Sequence, residues 1–202
     1  MPALAFPFSR QTGLAAAQAI VALAALISLT LLALDTLSLY SLRVRLHHAL
    51  LQTARQASTH HANPEQIAAT FTQGLHRARA SRRNSWQIRI LSPSASAFAQ
   101  HGRPSNRHAL RPTIRQAWQA QQHALRPDAQ PSIFQANTLH LQLHYHYQPA
   151  PWSALRALSA LTAWLGYANR SLLIRVDIQH PMQSDPVRWA DLPNGRVVYG
   201  PA

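Results

Sequence analysis

His140, His144 and His146 fall at even steps in a run from Leu139 to Tyr147. On a strand they share one face, and an i,i+2 pair of imidazoles can hold a metal ion. The chain has no cysteine and no acid joins the three, so the set reads as a solvated strand face and no metal is expected. His47-His48 and His60-His61 are adjacent pairs, which on a helix point to different faces and cannot chelate from one side. Arg77, Arg79, Arg82 and Arg83 form a basic cluster able to meet phosphates. Without a recognisable nucleic-acid fold around it, the cluster reads as a solvated helix end. Six carboxylates scattered over 202 residues leave little for paired acid/base chemistry. No G-x-S-x-G, Walker A, G-x-G-x-x-G or H-E-x-x-H is present. The reading is a non-enzyme with no cofactor.

Gly13, Leu14, Gln18 and Asp35 are the remaining residues of interest, and all belong to one stretch. Residues 14–34, LAAAQAIVALAALISLTLLAL, carry no charge, Pro or Gly, and Gln18 is their strongly polar side chain. At ~1.5 Å per residue such a run reaches the ~30 Å of a bilayer's hydrocarbon core. Only a helix satisfies its own backbone in a single crossing segment. A signal peptide's apolar region is ~7–15 residues, shorter than this one. The chain is therefore expected to be membrane-anchored. Asp35, the first acid of the sequence, ends the span. It is read as an interfacial carboxylate or as a polar contact inside a helix bundle.

The helical pattern continues past the membrane. Leu39, Leu42, Leu46, Leu50, Ala54 and Ala57 recur at three- and four-residue steps, so one helix of about 45 residues is expected, apolar first and amphipathic after. Asn63-Pro64 reads as a cap and first position of a second helix over 64–80. A strand follows over 85–91, then an exposed loop over 92–106 and a third helix over 112–125 with Ile114, Trp118 and Leu125 on one side. Strict alternation over 139–147 predicts a strand with one buried face. Residues 152–166 read as an amphipathic helix, 172–179 as a strand, and Pro193-Asn194-Gly195 as the turn of a small hairpin. The fold class is α+β: a long N-terminal helix carrying a small antiparallel sheet with flanking helices. The expected organisation is a leader-like segment (1–13), the membrane helix with its extension (14–62) and a head (63–202).

This order resembles type IV pilins and pseudopilins, and more narrowly the TadE-like pseudopilins of tight-adherence (Tad, Flp-type) pili. Arg10-Gln11-Thr12-Gly13 followed by Leu14 to Gln18 is similar to the family's basic leader, Gly and apolar start. Asp35 to Tyr40 and His48 to Ala57 resemble its exit from the membrane and its Ala-rich continuation. Leu143 to Tyr147 with Pro149 and Pro151, and the order of 152–182, carry the likeness into the head. The resemblance implies prepilin-peptidase cleavage after Gly13, with Leu14 as the new terminus. Gln18 stands where pilins carry Glu, which keeps hydrogen-bonding capacity but removes the charge.

The resemblance further implies a bacterial inner-membrane protein with a cytoplasmic amino terminus and a periplasmic head. Its partners would be other pilins or pseudopilins, the pilus-assembly platform and a prepilin peptidase; nucleic acid is not expected. Composition supports a different class beside it. All 19 cationic residues are Arg and the net charge is +13, which suits a membrane-tethered module for acidic polymers, anionic lipid or DNA. Arg43, Arg45 and Arg55 follow the span, so the charge rule taken literally would put the head in the cytoplasm.

Overall fold

The computed structural model describes residues 12–78, 84–149, 153–156, 160 and 171–200, with side chains from Ala16 onward. It is an α+β protein with a long N-terminal helix and a small mixed sheet. Two compact units emerge: residues 1–39 with 149–170, and residues 40–148 with 171–202.

Helix α1 runs without a break from Thr12 to Thr59. Its composition explains the continuity, because Ala and Leu dominate and neither Pro nor Gly occurs after Gly13. It starts two residues earlier than expected, so Gly13 lies inside its first turn rather than ahead of it. Residues 16–31 expose their side chains throughout, whereas Leu42, Leu46, Leu50, Ala54 and Ala57 are buried. The helix stops at His61 and Ala62, both in the left-handed region (φ 57° and 55°). Non-glycine residues resist that conformation, and here the C-terminal segment holds them. The Ser184 hydroxyl accepts from the His61 N–H at 2.9 Å, and the Trp189 indole N–H donates to the His61 carbonyl at 2.9 Å. Helix α2 (Pro64–Arg77) then begins as expected, with Asn63 accepting from the Glu65 N–H at 2.9 Å.

Strands β1 (Trp86–Ser92), β4 (Thr138–Tyr147), β5 (Leu172–Pro181) and β6 (Val197–Tyr199) make one sheet in the order β5-β4-β1-β6. The β5-β4-β1 ladders are antiparallel, while β6 joins β1 in parallel. Leu139, Leu141, Leu143 and Tyr145 are fully buried, as the alternation predicts. With Ile88, Ile90, Val176 and Ile178 they form the inner face, and α1 and α2 cover it through Leu46, Leu50, Ile67 and Phe71.

Between β1 and β4 the structure departs from the sequence reading. The segment 92–106 is not one exposed loop: α3 (Ala95–His101) is capped by Ser94 and buries Ala97 and Phe98, and β2 (Gly102–Ser105) follows. The expected helix over 112–125 is instead strand β3 (Arg111–Ile114), a turn, and the short α4 (Gln119–Leu125). Tertiary pairing overrides local pattern here. Residues of β3 pair with β2, and the Ile114 N–H donates to the Pro186 carbonyl at 3.0 Å. Ile114 is buried against Phe98 and Ile133, the latter in α5 (Ile133–Ala136), while Trp118 and Leu125 are 72% and 82% exposed. The turn at 193–195 forms, but the returning strand pairs with β1 rather than closing a two-stranded hairpin. Residues 154–156 are helical; the rest of the helix expected over 152–166 falls almost wholly outside the described residues.

Candidate functional site

In the first unit, the candidate residues lie along the apolar half of α1. Gly13 and Leu14 belong to its first turns, and Gln18 is exposed. Gly is about 1 kcal/mol poorer than Ala in a helix, so the turn around Gly13 opens at lower cost than those after it. The hydroxyls of Ser28, Thr30, Thr36 and Ser38 each donate to the carbonyl four residues earlier at 2.8 Å. Their polar groups are thereby satisfied within the helix, which suits an apolar surrounding. Helix α1 is long and apolar enough to span a bilayer, and among the described residues it is the only such helix.

Asp35 is half-buried, and its Oδ2 accepts the Leu155 N–H at 3.1 Å. Ser153 begins the short helical turn that supplies this donor, its hydroxyl accepting the Arg156 N–H at 3.1 Å. A carboxylate at such a start meets unsatisfied N–H groups and the positive end of the peptide dipoles. Asp35 thus has a partner within its own chain.

In the second unit, a polar face lies on the side of the sheet away from α1. His140, His144 and His146 alternate with the buried residues of β4, as expected. The expectation that no acid joins them is corrected by the register, which sets Asp177 of β5 opposite Gln142. The Gln142 side-chain amide donates to Asp177 Oδ1 at 2.8 Å, Arg175 Nε donates to Oδ2 at 3.2 Å, and His140 Nε2 lies 3.7 Å from Oδ1. Burial raises the Asp177 pKa, but these hydrogen bonds and the charges of Arg175 and His140 together bring it below the usual carboxylate value. His144 moves down, first through partial burial and then through Arg89 and Arg175, against the opposing pull of Asp177.

Among the described residues, no three His, Cys, Asp or Glu side chains are placed to hold a metal ion. Of the adjacent histidine pairs, His60 and His61 diverge, with His60 Nδ1 meeting the Gln56 carbonyl and His61 Nδ1 the Asp185 carbonyl, while the His47 and His48 rings lie edge to face at 6.2 Å. Of the arginine cluster, Arg77 ends α2 and Arg79, Arg82 and Arg83 lie outside the described residues.

Sequence reasoning missed a second set. The His61 and His108 rings meet edge-on at 4.6 Å, and Arg111 stacks 4.5 Å over the Trp189 ring. Burial, and next the nearby His61, lower the pKa of His108. These residues come from three distant parts of the chain, at 61, 108–111 and 189, and no sequence spacing links the three. Compared with family models, curated proteins and solved structures, the chain matches none.

Proposed function

We propose that this chain is a non-enzymatic, membrane-anchored assembly subunit similar to the TadE-like pseudopilins. Its amino terminus is cytoplasmic, residues after about 40 are exported, and it works with other pilins and the assembly platform. One observation carries the reading. A single helix exposes apolar side chains along its first part and contributes core residues to a sheet domain along its second. Such a helix can pass from a bilayer into a bundle of like helices while its domain stays folded, since only the first part changes surroundings. Prepilin-peptidase cleavage after Gly13 would remove Arg10 with the rest of the 13-residue leader and so free the helix for that transfer.

The basic-module reading has its own support. The outer sheet face carries Arg89, Arg175 and His144 against the single acid Asp177. The two readings separate in a pull-down from membranes. Capture of pilin subunits that survives high salt and needs residues 14–34 supports the assembly reading. Capture by the head alone, lost steeply as salt rises, supports the basic module. A reporter fused after Ala202 that is active only in the cytoplasm overturns the proposed topology.

A further inference from the structure

Strand β5 is an edge of the sheet, and the geometry of the second unit shows which of its backbone groups are free. In antiparallel pairs the residues of a strand turn their N–H and C=O alternately to one neighbour and to the other. The His146 N–H donates to the Ser85 carbonyl on the β1 side, so the even residues of β4 face β1 and the odd ones face β5. The register pairs Leu143 with Val176 and Leu141 with Ile178, so the even residues of β5 face β4. The bond from the Met182 N–H to the Asn137 carbonyl continues the same alternation. Leu173, Arg175, Asp177 and Gln179 therefore turn their backbone N–H and C=O outward, and among the described residues no strand pairs with them.

A groove of about 480 Å³ runs beside this edge. One wall is β5 at Arg175, Val176 and Asp177; the other is Tyr40, Arg43, Val44 and His47 of α1. The helical wall is one stripe, at i, i+3, i+4 and i+7. Tyr40 and Val44 are 66% and 38% exposed there, apolar surface that no described residue covers fully. Charge is lopsided as well: Arg43, His47 and Arg175 face the groove, and its one acid, Asp177, is already engaged by Gln142 and Arg175.

We propose that this groove docks an extended, acidic segment of a partner protein, which adds to β5 as a fifth strand of the sheet. Main-chain bonds to Arg175 and Asp177 would hold the segment. Its apolar side chains would cover Tyr40 and Val44 on the α1 side, and the carboxylates of its other face would meet Arg175 on the outer side, drawn in by the positive field of Arg43 and His47. A second copy of this chain does not fit the role. Its six acids are dispersed, no segment carries them at alternate positions, and a net charge of +13 opposes self-association at a basic groove. The inference stands on the second unit alone and does not depend on the pilin reading.

The test uses the full chain in detergent micelles and three synthetic seven-residue peptides. One alternates Glu and Val, one alternates Lys and Val, and one is the Glu-Val peptide with every backbone nitrogen methylated. The expected result is that Glu-Val binds at least tenfold tighter than Lys-Val and slows amide exchange at Arg175 and Asp177 at least tenfold, and that the methylated form does not bind. Arg175→Pro should abolish binding, because it removes an outward N–H that the β4–β5 ladder does not use. Arg175→Gln should weaken it only several-fold. No binding, equal binding of the methylated peptide, or binding that leaves those two amides unprotected would overturn the proposal.

Discussion

A β-carbon placed on Gly74 of α2 would lie 2.9 Å from the Ala49 β-carbon of α1 and 3.4 Å from its α-carbon. The two helices meet here at a separation that only glycine permits, and Ala49 is itself buried. Helix propensity would favour Gly74→Ala by up to about 1 kcal/mol. Overpacking against a backbone costs about 1–3 kcal/mol, and that effect should win. Urea unfolding of the head should show a lower midpoint for Gly74→Ala. An unchanged or higher midpoint would mean that α2 can shift freely on α1.

The two parts of α1 should respond differently to truncation. Leu50 is fully buried in the core, whereas Leu26 is 62% exposed. Leu50→Ala removes core contacts and leaves a cavity, at a cost of about 2–5 kcal/mol. Leu26→Ala should leave unfolding of the head within about 0.5 kcal/mol of the parent. Equal effects at both positions would contradict the division of labour along the helix.

Acid should weaken the head in a first step set by two histidines. His108 and His144 both have pKa values below the ordinary 6.5. The unfolded chain therefore takes up more protons once the pH drops below 6.5, and stability present above that value is lost as pH falls through the folded pKa values. Asp177, also lowered, adds a second loss below 3.8. Urea midpoints should fall between pH 7.5 and 5, and the fall should be shallower in His108→Gln and His144→Gln. A slope identical to the parent's in both variants would remove these two groups from the account.

The elements legible in the sequence were those whose own pattern decides them. Leu139 to Tyr147 alternates without exception and is a strand. Asn63-Pro64 announces α2 through its cap. The long α1 follows from 46 residues free of Pro and Gly after Gly13. The patterns over 92–106 and 112–125 mislead because distant partners decide them: Ile114 is set by Pro186 and Phe98, not by its spacing to Trp118. The Ser94 cap of α3 and the Ser132–Gln135 capping box of α5 are the local signals that the chain between β1 and β4 does carry. The partner of Asp177 was not legible, since a register of β4 on β5 moved by two residues would have offered it a different one.

The proposed function makes α1 the helix of a processed, pilin-like subunit. Intact-mass measurement of the membrane-extracted protein, from cells that contain a prepilin peptidase, tests this most directly. A chain beginning at Leu14, restored to full length by Gly13→Val, is the result expected. A full-length chain whose mass differs in Gly13→Val only by the substitution itself would make α1 a permanent anchor and contradict the pilin reading.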